Sequence, residues 1–272
     1  SEEERDALAP ELVIAFGKQV VSKRMKLFVQ SLDLPEIREI PEGPVLYDLL
    51  RELTVRDGSE NHFQGKWKVI EEREQERAGS YLGQAPFGNL TAVARILETV
   101  PARTVIHLGN SSTIRNAQLM RSRSDLLYYS NRGTSGIDGS LSSAVGAAMV
   151  SDQQHLLVAG DLSFVYDSNG LWNKDFPENL KIVVLNDGGG GIFRLLEGPD
   201  KMEYFEEFSV THHPVSLELL SGAFGRRFAR ATTMEELDHQ LVKLCSPGSG
   251  LSVLEVDTTG SDNSRIFKDL FK

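Results

Sequence analysis

The sequence predicts an α/β fold, a doubly wound parallel sheet, on three observations. From Tyr81 onward, short apolar runs alternate with stretches of helical spacing, the pattern of strand–helix–strand units. Two of the runs, His155 to Ala159 and Ile182 to Leu185, are apolar almost throughout, as strands buried on both faces are. Each is followed just past its C-terminal end by an acidic residue, Asp161 or Asp187. The stretch between them is long enough for the crossover that parallel strands require.

The elements follow in chain order. Ser1 is not a methionine, and a charged stretch leads straight into Leu12–Gly17, a strand and turn with no preceding partner. The expectation is a chain that opens inside a larger protein. From Lys18 to Leu32, Val20, Val21, Met25, Phe28, Val29 and Leu32 recur at helical spacing, with Lys18, Lys23, Arg24 and Lys26 as a solvated basic face. Pro35 to Lys66 is rich in Pro, Gly and acid, with a turn at Asp57-Gly58-Ser59. A charged helix, Trp67 to Arg77, precedes a change of pattern near Gly79, which sets domains of 1–78 and 79–272.

The second domain reads as helix Asn89–Leu97, strand Thr104–Leu108, helix Ile114–Met120, strand Leu126–Tyr129 and a small-residue helix Leu141–Val150. The Asp161 and Asp187 units come next. Leu196 to His213 is irregular, a lid or a long connection. Helix 215–223, strand 227–231, helix 234–245, strand 251–256 and a last helix close the chain. Arg103, Arg121 and Arg123 read as surface residues, and Cys245 as core.

Composition bounds the function. The 272 residues carry a net charge of −10, which argues against a nucleic-acid or anionic-membrane surface. One cysteine excludes an internal disulfide. No apolar run approaches the ~20 residues of a membrane span, and no secretory leader is visible, so the cytoplasm is the expectation.

Ligands of open α/β sheets sit outside the carboxyl ends of the strands, so Asp161 and Asp187 are expected to meet there. Two carboxylates at one point repel unless a cation lies between them. Mg²⁺ suits the place, because it takes one or two carboxylates together with phosphate oxygens and water. The run Gly188 to Gly191 lets backbone carbonyls and amides approach such a ligand. Ser163 lies at the start of the following helix, where free amides favour phosphate. The adjacent His212-His213 reads poorly as a metal pair, since neighbouring side chains diverge and no third ligand stands out.

A Gly-Asp, a long spacer and an Asn-Asp resemble the thiamine-diphosphate motif of the pyruvate-decarboxylase-like superfamily. The wording Asn131-Arg132-Gly133-Thr134-Ser135-Gly136-Ile137-Asp138-Gly139, Gly160-Asp161-Leu162-Ser163-Phe164 and Asn186-Asp187 through Ile192-Phe193 resembles the SEPHCHC synthase family of menaquinone biosynthesis. The likeness covers nearly the whole chain, most strongly from Tyr81 to Phe193. It implies part of a central domain (1–78) followed by the C-terminal diphosphate domain (79–272), and the cofactors thiamine diphosphate and Mg²⁺ or Mn²⁺.

The likeness also implies roles. Asp161, Asp187 and the Gly189 carbonyl would hold the metal. Leu162 and Ser163 would meet the diphosphate, Ile137 would prop the bent cofactor, and Ile192 and Phe193 would form an apolar wall. Ser111, Arg115 and Arg132 would take the substrate carboxylates, with Lys23 and Arg24 as further candidates. The implied reaction decarboxylates 2-oxoglutarate and adds the resulting carbanion to isochorismate. The family draws a glutamate from the pyrimidine domain of a partner subunit. No residue here corresponds to it, so the polypeptide alone is expected to be inactive, and a homo-oligomer and the rest of its own chain are expected partners. The alternatives are another thiamine-diphosphate carboligase of acetohydroxyacid synthase type, and a non-catalytic Mg²⁺–nucleotide-binding module.

Overall fold

The computed structural model describes residues 2–10, 13–16, 20–32, 37–40, 43–55, 62–195 and 203–272. The chain forms two compact units, Ser1–Ser80 and Tyr81–Lys272.

The first unit contains α1 (Glu2–Ala7), β1 (Val13–Phe16), α2 (Lys23–Gln30), β2 (Ile37–Ile40), α3 (Pro44–Val55) and most of α4 (His62–Leu82). β1 and β2 pair in parallel, Val13 opposite Ile37. The helix expected over Lys18–Leu32 starts only at Lys23, because the Ser22 hydroxyl accepts from the Met25 amide and caps it. Lys18 and the Asp57-Gly58-Ser59 turn lie outside the described residues. The stretch from Pro35 to Lys66 holds more regular structure than its composition suggests. In α3, Pro44 stands at the first helical position, where proline is tolerated.

The second unit contains α5 (Asn89–Thr99), β3 (Val105–Leu108), α6 (Ser112–Ala117), β4 (Leu127–Tyr129), α7 (Ser140–Met149), β5 (His155–Gly160), α8 (Asp161–Tyr166) and β6 (Leu180–Asn186). It continues with α9 (Leu217–Ala223), β7 (Arg227–Ala231), α10 (Met234–Cys245), β8 (Leu251–Asp257) and α11 (Asn263–Asp269). Its strands form one six-stranded sheet in the order β4-β3-β5-β6-β8-β7, parallel at every pair. The doubly wound parallel fold read from the sequence is the one observed.

β5 and β6 lie at the centre and are buried on both faces. Leu157, Ala159, Ile182, Val184 and Val253 make one face and pack with Leu141, Ala144, Val145 and Ala148 of α7. The small residues of α7 thus face inward as well as out, since Ser142, Ser143 and Gly146 are exposed. The crossover between β5 and β6 is short, α8 plus a 3₁₀ turn at Ser168–Trp172. Buried Asp167 ties it to α7 by accepting from the Ser142 amide at 2.8 Å and the Ser142 hydroxyl at 2.5 Å. Asp167→Ala removes both hydrogen bonds, an expected loss of about 1–3 kcal/mol, read from urea unfolding.

Arg123, expected at the surface, is a helix cap. Its Nη1 donates to the carbonyls of Leu97, Glu98 and Val100 and satisfies the C-terminal end of α5. Cys245 is partly buried, and burial pushes its thiol up, which suits a core residue rather than a nucleophile. No helix among the described residues is long and apolar enough to cross a membrane.

Candidate cofactor and metal site

The chain runs from β3 outward to β4, then returns to the other side of β3 with β5 and continues to β6. The strand order therefore reverses between β3 and β5, and crevices open at such a point. The ends of β3, β5 and β6 carry the sequence-predicted residues.

Asp161 begins α8 directly after β5 and is 2% exposed. Its Oδ1 accepts from the Leu162 amide at 2.8 Å, and its Oδ2 lies 3.1 Å from His213 Nε2. Burial raises its carboxyl above the ordinary value, against the pull of the Leu162 amide, His213 and the Gly189 amide. Asp187 follows β6. Its carboxyl is pushed up to about 7, by burial first and then by the negative charge of Asp161. The two carboxylates thus lie close enough for the charge of Asp161 to act on Asp187. Opposing it are the Arg194 charge and a hydrogen bond from Asn89 Nδ2 to Asp187 Oδ2 at 3.0 Å.

The glycine run wraps this pair. Gly188 and Gly189 have φ of +79° and +146°, backbone that other residues rarely adopt. A side chain at Gly189 would strike the Val210 carbonyl, and one at Gly191 the Asp187 carboxylate. The Gly190 amide donates to the Val210 carbonyl. The described part of the irregular stretch, Glu203–His213, thus packs on the glycines, through a π-helical turn at Glu206–Val210. Its residues 196–202, with Gly198-Pro199, lie outside the described residues. His212 lies 3.0 Å from the Gly188 carbonyl and 3.1 Å from Glu206 Oε2. Both histidines, which the sequence did not connect to the aspartates, therefore engage this loop.

A second frame holds the turn from β8. Buried Glu255 accepts from Asn186 Nδ2 at 2.6 Å and from Arg230 Nε at 2.7 Å, and Asn186 Oδ1 accepts from the Gly188 amide. A cavity of roughly 450 Å³, lined in part by Asp187, Gly188, Gly191, Arg194, His212 and His213, opens beside Asp187. That size suits a small-molecule ligand.

The other predicted residues gather on the β3 and β4 side. Ser163 donates its hydroxyl to the Ile137 carbonyl at 2.5 Å, which ties the 133–139 loop to α8. Its main-chain amide stands in the first helical turn, where amides lack an intrahelical partner. Ser111 stands at the N-cap position of α6, without a capping bond from its side chain, and its φ of +71° is strained for a residue with a side chain. Buried Asn110 donates to the carbonyls of Asn131 and Gly136 and accepts from Arg132 Nη1 at 2.7 Å. Arg115 and Arg132 are neighbours: burial first, then the Arg132 charge, push the Arg115 guanidinium down. Neither forms an ion pair among the described residues, and the buried Arg132 Nε has no acceptor. Guanidinium groups without a carboxylate partner can take an anion. Ile137 and Ile192 are partly buried, and Phe193, 39% exposed, lies in the 3₁₀ turn Gly191–Leu195.

Among the described residues no three His, Cys, Asp or Glu side chains form a metal cluster. Two carboxylates with main-chain oxygens are a donor type that suits Mg²⁺ better than zinc.

Residues 109–256, more than half of the chain, match the family "Thiamine pyrophosphate enzyme, C-terminal TPP binding domain". The chain belongs to the thiamine pyrophosphate enzymes. A curated relative from Desulfotalea psychrophila, named 2-succinyl-5-enolpyruvyl-6-hydroxy-3-cyclohexene-1-carboxylate synthase, is 37% identical over 94% of this chain and 48% of its own length. Relatives of the same name from Christiangramia forsetii and Bacteroides fragilis are 33% and 32% identical, over 99% and 100% of this chain. The chain spans about half the length of the curated relatives it matches.

Proposed function

We propose that this chain is the diphosphate-binding part of a 2-succinyl-5-enolpyruvyl-6-hydroxy-3-cyclohexene-1-carboxylate (SEPHCHC) synthase, a carboligase taking 2-oxoglutarate and isochorismate in menaquinone biosynthesis. The relatives' printed name supports the reaction, and the observation that carries it is the pair of carboxylates after β5 and β6, where the Asp161 charge raises the Asp187 carboxyl; Arg115 and Arg132, without ion-pair partners among the described residues, support the substrate class. Thiamine diphosphate, when bound, supplies a cationic ring that stabilises the carbanion left by decarboxylation. This chain's residues do the rest. Asp161 and Asp187, with the Gly189 carbonyl, would hold Mg²⁺ or Mn²⁺, which would supply the positive charge that a diphosphate needs. The Leu162 and Ser163 turn faces the phosphates. Ile137 would prop the bound cofactor, while Ile192 and Phe193 would keep water from the site. Arg115 and Arg132, with Ser111, bind and orient substrate carboxylates.

The remaining groups of the site come from the rest of the protein's own chain and from a second copy docked on the exposed side of α7. The 1–78 stretch belongs to the central domain, and the cytoplasm is the place of action.

Calorimetric titration tests this reading. Thiamine diphosphate is expected to bind only with Mg²⁺ present, and far more tightly than ADP. On the loaded protein 2-oxoglutarate is expected to bind better than pyruvate, with Arg132→Ala weakening it about 10-fold. ADP binding as well as thiamine diphosphate would favour a nucleotide module. Equal binding of pyruvate and 2-oxoglutarate would favour an acetohydroxyacid synthase type.

A further inference from the structure

We infer that Asn89 is a positioning residue: its side-chain amide fixes which oxygen of Asp187 is offered to a divalent cation. The inference rests on the cation reading above. A carboxylate after a strand rotates freely unless something takes one of its oxygens. Here Asn89 Nδ2 takes Asp187 Oδ2 at 3.0 Å, across 98 positions of sequence. Among the described residues no other side chain hydrogen-bonds to this carboxylate, so Oδ1 is the oxygen that can turn to a metal.

Asn89 is held in turn. It is 3% exposed. Its Oδ1 accepts from the Thr258 hydroxyl at 2.9 Å, and its main-chain amide donates to Asn263 Oδ1 at 2.7 Å. Thr258 also accepts from Asn263 Nδ2 at 3.1 Å. The preceding Gly88 has no room for a side chain, since a Cβ there would lie 2.7 Å from Ile266 Cδ1 and 2.8 Å from Asn263 Oδ1. The start of α5 is therefore pinned against the segment that follows β8. On the other side of the carboxylate, Gly191 has no space for a Cβ either. Asp187 thus sits between a glycine and an amide of fixed orientation.

The residue type fits the task. A flipped amide would set oxygen against carboxylate. An aspartate would add a third negative charge beside two that already repel. Only the amide, with its nitrogen towards Asp187, both donates and stays neutral. Groups that orient ligands of a metal in this way are typically worth 10- to 100-fold in metal affinity.

The test is Mn²⁺ binding to the protein with thiamine diphosphate in excess, followed by the EPR signal of free Mn²⁺. Asn89→Ala is expected to weaken Mn²⁺ about 10-fold and to alter the line shape of the bound ion, while the metal-free melting temperature moves by no more than a few degrees. Thr258→Val, which releases the far end of the amide, is expected to weaken Mn²⁺ in the same direction by less. It carries the test if the alanine variant does not fold. Unchanged Mn²⁺ affinity in both variants overturns the role of Asn89 and leaves the cation site standing. Absence of Mn²⁺ binding in the unaltered protein overturns the cation site, and this inference with it. A fall in melting temperature with unchanged affinity assigns Asn89 a structural role only and overturns the inference.

Discussion

Asp161→Ala is expected to lower the affinity for thiamine diphosphate with Mg²⁺ by about 100-fold or more, without unfolding the chain. Asp161 is the more buried of the two carboxylates, and its Oδ1 is already committed to the Leu162 amide. Its Oδ2 lies 3.1 Å from His213 Nε2, and its charge acts on Asp187. Removing it leaves one carboxylate where the cation needs two. It also removes a charge whose burial is unfavourable, as its raised value shows. The metal-free melting temperature is therefore expected to hold or rise. Fluorescence titration of the cofactor with a parallel thermal melt separates the two effects. A metal-free protein that collapses on this substitution would mean that Asp161 serves packing instead.

Asp187 is expected to make the metal-free protein less stable as pH rises. Its carboxyl titrates at about 7 in the folded chain, against about 3.9 in an unfolded one. Between those values the folded state holds a proton that the unfolded state has released, so stability falls through this window and levels off above it. In chelator, the melting temperature is expected to drop by roughly 3–8 °C from pH 4.5 to 7.5. Asp187→Asn, which keeps the shape and an oxygen ligand, should flatten that slope. Mg²⁺ with thiamine diphosphate should restore the loss at pH 7.5, because the cation favours the ionised pair. Its binding near neutral pH should release protons, measurable as a dependence of the binding heat on buffer. A chelated protein whose stability is the same in the variant and the parent across this range would contradict the coupling of the two aspartates.

Much of the second unit is legible in the sequence because parallel strands buried on both faces have no polar face to obscure them. His155 to Ala159 and Ile182 to Leu185 announce themselves, and Asp161 and Asp187 stand out as charges ending apolar runs. Arg115 and Arg132 follow from the same logic of strand ends. The partners of those residues are not legible. Asn89 reaches Asp187 across 98 positions and His213 reaches Asp161 across 52, contacts set by how separate elements pack. Asn89 looks in sequence like an ordinary helix start. His212-His213 looks like a failed metal pair because adjacent side chains diverge. The divergence is real, but the glycine turn lies between them: one meets the Gly188 carbonyl and the other Asp161. Glu255 is hidden for a similar reason. A glutamate in the strand Leu251–Asp257 reads as an interruption until Asn186 and Arg230 are seen to satisfy it. In the first unit the capped start of α2 at Ser22 and the proline-led α3 depend on local hydrogen bonds and backbone angles that composition does not report.

Anomalous diffraction from crystals grown with Mn²⁺ and thiamine diphosphate tests the arrangement most directly. One peak is expected at the ends of β5 and β6, about 2.1–2.3 Å from a single oxygen of Asp161 and a single oxygen of Asp187. A peak bound to one aspartate alone, or two peaks in separate places, would contradict it.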